Sequence, residues 1–105
     1  MLFAMMALVM GANPATINKP RQDFAACIRA FETKSREGQM SAADYESGVK
    51  AACSTEAAAL TKALIAYDMA MGGKRANAVA NAASDVDDYR ITSVERYRGS
   101  APPPQ

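Results

Sequence analysis

SAADYESGVKAACSTEAAALTKALIAYDMAM, residues 41–71, is the stretch whose reading decides the fold. It holds no proline and one internal glycine, Gly48. Ser41 stands where a helix N-cap belongs, its hydroxyl placed to accept from the free N–H groups of the first turn. Asp44, at the third helical position, plays a weaker version of the capping-box Glu or Gln, and Met40 and Tyr45 occupy the positions of a hydrophobic staple. Gly72-Gly73 supplies the stop, because glycine accepts the left-handed conformation that closes a helix. In between, Tyr45, Val49, Ala52, Cys53, Leu60, Ala63, Leu64, Tyr67 and Met71 recur mostly at three- and four-residue steps, which is one apolar face. A helix over the whole stretch would run roughly 46 Å. That is long for a small domain and leaves room for a bend near Gly48 or Ser54-Thr55.

Working outward, Pro20 or Asp23 opens a first helix over residues 21–37. Phe24, Cys27, Ile28 and Phe31 stand at i, i+3, i+4 and i+7, so this helix is amphipathic. Arg29, Glu32, Lys34, Arg36 and Glu37 fall mostly on its outer face, and Gly38 ends it. Cys27 then lies about 15 Å before the turn and Cys53 about 18 Å after it, by helical rise. In an antiparallel hairpin the two reach nearly the same height, each on the apolar stripe of its helix. The spacing predicts a Cys27–Cys53 disulfide worth roughly 3–4 kcal/mol on chain-entropy grounds.

Beyond Gly73 a third helix is expected, with Ala76, Val79, Ala83, Val86 and Tyr89-Arg90 as its inner edge. Thr92-Ser93-Val94-Glu95 repeats the capping-box pattern and suggests a break near Ile91, with a short last helix to Arg98. No internal repeat and no strand-like alternation is present. The expected architecture is all-α: a small helical hairpin extended to a three-helix bundle and stapled by one disulfide. The domain reading is a signal peptide over 1–15, a linker over 16–20, a helical domain over 21–98 and a disordered Pro-rich tail over 99–105.

The chain has 105 residues, enough for one small domain. Twenty-three of them are alanine, against three phenylalanines, four tyrosines and no tryptophan. Alanine favours helix but buries little area, so a core this thin calls for reinforcement. The net charge of +1, with mixed signs, gives no field that would draw the chain to nucleic acid or anionic lipid. MLFAMMALVM, residues 1–10, is an unbroken apolar run followed by small residues and a turn. At about 15 Å as a helix it is too short to cross a bilayer. It fits the core of a secretory signal cut after Ala12 or Ala15, although no Lys or Arg precedes it. Two cysteines in a short exported chain read as a disulfide. The expected location is periplasmic or secreted, with no stable membrane span after cleavage.

The absence of any histidine removes the usual Ser-His and Cys-His nucleophile pairs and the Cys/His zinc sites. No phosphate-binding glycine loop is complete. Gly73, Lys74 and Arg75 form a weak anion-site candidate, since two cations in a first helical turn oppose the dipole unless an anion joins them. Asp85, Asp87 and Asp88 lack the spacing of a calcium loop and read as a solvated face, with Asp87–Arg90 or Asp88–Thr92 as local pairs. Met69 and Met71, two apart, point to different sides and read as packing rather than as metal ligands. The expectation is a non-enzymatic exported module without a cofactor, binding an unknown partner or associated with the envelope. Its apolar helix faces are also compatible with self-association. The alternative is a redox-responsive thiol protein that switches through the Cys27–Cys53 bond.

Overall fold

The computed structural model describes residues 14–100, and within them the protein is built from helices alone. Four follow one another: α1 (Ala15–Glu37), α2 (Ala42–Val49), α3 (Ser54–Ala70) and α4 (Arg75–Arg98). Most of the signal-peptide reading (1–15) and of the tail reading (99–105) lies outside the described residues; of the parts inside, Ala15 opens α1, and Gly99 and Ser100 form a hydrogen-bonded turn rather than disordered chain.

α1 and α3 pack against each other, α4 lies along α3 and over α1, and short α2 covers the C-terminal half of α4. Directions follow from the side-chain pairs. Arg21 meets Asp85 and Tyr89, while Arg36 meets Ser100, so α1 and α4 run the same way. α3 reverses into α4 over the 71–74 turn, where Gly73 N–H donates to the Asp68 carbonyl at 2.9 Å. Gly72 takes the left-handed backbone there, φ +97°. Phe24, Ile28, Tyr45, Val49, Leu60, Val86 and Tyr97 form the centre of the core.

The long central helix is two helices. Ser41 caps α2 as its sequence requires, accepting from Asp44 N–H at 3.1 Å. After Val49 the chain makes a turn, and Cys53 sits in the left-handed region at φ 61°. One continuous rod could not lay Tyr45 and Val49 on α4 and also bring Cys53 to α1. Burial of two large side chains, about 1.5–3 kcal/mol each, outweighs the 1–2 kcal/mol cost of one left-handed non-glycine residue. Gly48 permits the close approach, since a Cβ there would meet the Phe31 ring at 3.1 Å.

Three further local expectations are corrected. Residues 16–20, expected as a linker, are the first turns of α1, with Pro20 inside the helix. Pro20 costs one helical rung in the second turn, and Ile17 anchors that end by burial in the core. There is no break near Ile91, because α4 runs unbroken to Arg98. Thr92 does not cap a helix but lies inside α4, where its neighbour Ser93 is fully buried. The inner edge of α4 is Ala78, Ala82, Val86, Ser93, Val94 and Tyr97, so Ala76, Val79 and Ala83 face outward. An alanine-rich segment carries no contrast from which to read its face.

Candidate functional site

Cys27 and Cys53 are joined in a disulfide with Cα atoms 5.9 Å apart and a sequence separation of 26. Cys27 lies in the middle of α1, one residue from buried Ile28. Cys53 is the N-cap residue of α3 and makes no side-chain capping bond. Both are half-buried and pack at the edge of the core rather than within it. The bond therefore pins the break between α2 and α3 onto α1. Glu56, in the first turn of α3, brings a carboxylate oxygen to the same place, so that it and the two sulfurs all lie within 4.8 Å of one another. The sequence expectation passed over Glu56. The C-x-x-E spacing was its signal, since residues three apart share a helix face.

A second cluster was not anticipated at all. Glu32, expected on the outer face of α1, is 3% exposed. It accepts from Ser93 Oγ at 2.6 Å and from Arg96 Nε at 3.0 Å, with a second Arg96 nitrogen closer still. Arg36 stands 3.6 Å away on the neighbouring turn. Ser93 has one proton and gives it to Glu32, so the Tyr45 hydroxyl donates to Ser93. Tyr45 stacks on Tyr97 with ring centres 3.9 Å apart, and Tyr97 donates to the Met40 carbonyl. Phe31 extends the stack at 5.2 Å from Tyr45. Burial pushes the Glu32 carboxyl up, but the hydrogen bonds from Arg96 and Ser93 and the charges of Arg96 and Arg36 outweigh it, leaving its pKa below the ordinary value. Burial raises Tyr45, and the Glu32 charge adds to that against the Ser93 bond. The Glu32 hydrogen bond holds Arg96 firmly protonated. Every polar group at the centre of this cluster is spent on another, which is the chemistry of a clamp between α1, α2 and α4.

Gly73, Lys74 and Arg75 sit at the start of α4, Lys74 as N-cap residue and Arg75 as first helical residue, both exposed. No acidic residue lies in that first turn. The Asp68 carboxylate from α3 stands beside Gly73 and accepts from Asn81 at 3.5 Å. Of the acidic residues, Asp85 pairs with Arg21 at 3.4 Å and Asp87 with Arg90 at 3.6 Å, the latter as expected. Met69 and Met71 are exposed rather than packed.

The surface grooves are open and lie between helix pairs. One, between α1 and α4, has Ala25, Ile28 and Tyr89 as its floor and Arg29 and Arg96 at its rim. Another, between α3 and α4, combines Leu64, Tyr67 and Met71 with Asp68, Asp85 and Asp88. No described helix is long and apolar enough to cross a membrane. No protein-family model, no curated protein and no solved structure matches the chain.

Proposed function

We propose that this chain is a small exported helical protein, periplasmic or secreted, that acts without catalysis as a binding or envelope-associated module. The observation that carries the reading is the Cys27–Cys53 bond at the edge of a small bundle whose core holds only a few large side chains. Bonds of this kind persist in oxidising compartments and reinforce domains too small to hold themselves firmly. The apolar run over 1–10 and the small residues after it support export. Cleavage after Ala12 leaves α1 whole, whereas cleavage after Ala15 removes its first residue. The test is the mass of the mature protein from its native host, with and without thiol alkylation. A chain shortened by 12 or 15 residues with no free thiol is expected. A chain that keeps Met1 and carries two free thiols overturns the reading.

A second reading, a thiol protein that switches through the same bond, is favoured by one feature. Cys53 is half-exposed at a helix N-terminus, where the dipole and free N–H groups favour a thiolate leaving group. Equilibration with glutathione buffers separates the two. A structural bond resists reduction at cytosolic poise, and a switch is reduced there.

A further inference from the structure

We propose that reduction turns the disulfide into a zinc site, with Cys27, Cys53 and Glu56 as three protein ligands and water as the fourth. The motive is the donor set. Two sulfurs and a carboxylate oxygen converge within 4.8 Å from α1 and from the first turn of α3. Glu56 is half-buried, yet among the described residues its carboxylate has no hydrogen-bond or ion-pair partner. A carboxylate not engaged by another group of the chain is free to turn to a metal, and it stands beside the two atoms that, as thiolates, are soft metal ligands.

The geometry suits a tetrahedral ion. Zn–S bonds of about 2.3 Å place two thiolate sulfurs about 3.8 Å apart. Cα atoms 5.9 Å apart accommodate that spread by side-chain rotation, without moving the helices. Cys53 and Glu56 are held three residues apart at the start of one helix, the C-x-x spacing that presents two donors to one ion. Cys27 closes the site from the facing helix. Three protein ligands leave one position open to water.

The chemistry balances with a dithiol reductant. The Cys27–Cys53 bond takes two electrons and two protons from the dithiol, which itself becomes a disulfide, leaving two thiols. Zn2+ then displaces both thiol protons to solvent and gains the Glu56 carboxylate. The α1–α3 contact is thereby clipped in either state, by a covalent bond when oxidised and by a metal when reduced.

The test uses the full chain, reduced anaerobically with a phosphine and titrated with Cd2+ as probe, following the ultraviolet sulfur-to-cadmium band. One Cd2+ per chain is expected, displaced by Zn2+ and not by Mg2+. The oxidised chain should show no band. Glu56→Gln, a substitution outside the core, should weaken Cd2+ binding by about tenfold or more, since even outer ligand partners count for that much. Cys27→Ser should lose most of the band. Zn2+ should raise the melting temperature of the reduced chain and leave the oxidised chain unchanged. No band, half an ion per chain from bridging between molecules, or equal affinity in Glu56→Gln would each overturn the proposal.

Discussion

The two ends of the bundle are built on different principles. At the end where α1 and α4 finish, Tyr45, Tyr97, Phe31, Ser93, Glu32 and Arg96 interlock through stacking and hydrogen bonds. At the opposite end, where α3 turns into α4, the inward residues of α4 are Ala78 and Ala82, and Met69, Met71 and Val79 face solvent. The first end gains stability from few, large, mutually satisfied groups. The second relies on helix propensity and on the tight 71–74 turn. Between them stands the disulfide. Substitutions should therefore cost much at one end and little at the other.

The largest effect is expected from Arg96→Met. It strands the buried Glu32 charge, and breaking a buried pair from that side costs about 3–5 kcal/mol. Glu32→Gln should cost less, about 1–3 kcal/mol, because the Arg96 side chain is 37% exposed and turns to water. Denaturant unfolding of both variants checks the order. The same clamp sets the pH limits. The folded pKa of Glu32 lies below its ordinary value of 4.5, so its stabilisation is complete above that value and is lost as pH falls through the folded pKa. The folded pKa of Tyr45 lies above 10.0, so its contribution is complete below that pH and is lost as pH rises through the folded value. Glu32→Gln should flatten the acid limb of a stability profile and weaken the alkaline limb without abolishing it, because burial, the larger cause of the Tyr45 shift, remains.

Cys53→Ser should come next, at about 3 kcal/mol, through loss of the crosslink and exposure of the break to fraying. Helical content at low temperature should persist, because Tyr45 and Val49 still anchor α2. Thermal melting of wild type and variant, each with and without reductant, measures this. If wild type melts at one temperature in both conditions, the disulfide is not the link between the two ends.

The helical class, the Cys27–Cys53 pairing and the Ser41 cap were legible because each rests on local spacing: amphipathic period, helical rise and a capping hydroxyl. The clamp was not. Glu32 sits among Arg29, Lys34, Arg36 and Glu37, and a charged residue in such company reads as solvated. Only the arrival of Ser93 and Arg96 from 61 and 64 residues away makes its burial tolerable. The Thr92-Ser93-Val94-Glu95 pattern misled as well, since a hydroxyl three residues before a glutamate looks like a cap, while Ser93 inside it is the buried donor to Glu32. The break before Cys53 falls between the two places where a bend was expected, Gly48 and Ser54-Thr55, but its full extent was hidden because residues 49–53 contain no breaker. Tertiary packing of Tyr45 and Val49 overrode local preference there.

Gly48→Ala sits between the extremes. The added methyl meets the tip of the Phe31 ring, a contact that yields by a few tenths of an ångström. Overpacking of about 1–3 kcal/mol is partly offset by the helix propensity alanine gains over glycine, close to 1 kcal/mol. A net loss of about 1 kcal/mol is expected, read from the denaturation midpoint. A stabilised variant would mean that α2 does not press on α1 at this point.

The smallest effect is expected from Met71→Lys. Met71 is 63% exposed, and its backbone N–H already serves the Tyr67 and Asp68 carbonyls at the end of α3. Those bonds belong to the main chain and survive any side chain. Little apolar burial is lost, so the change should stay within about 0.5 kcal/mol. A cation at a helix C-terminus gains about 0.3–1 kcal/mol from the dipole at low salt, which tilts the balance toward stabilisation. Added salt should erase that gain by screening. The check is a pair of melting curves at low and high ionic strength. A loss above about 1 kcal/mol would show that Met71 packs as firmly as a core residue, and the contrast between a clamped end and a loosely covered one would fail at its clearest point.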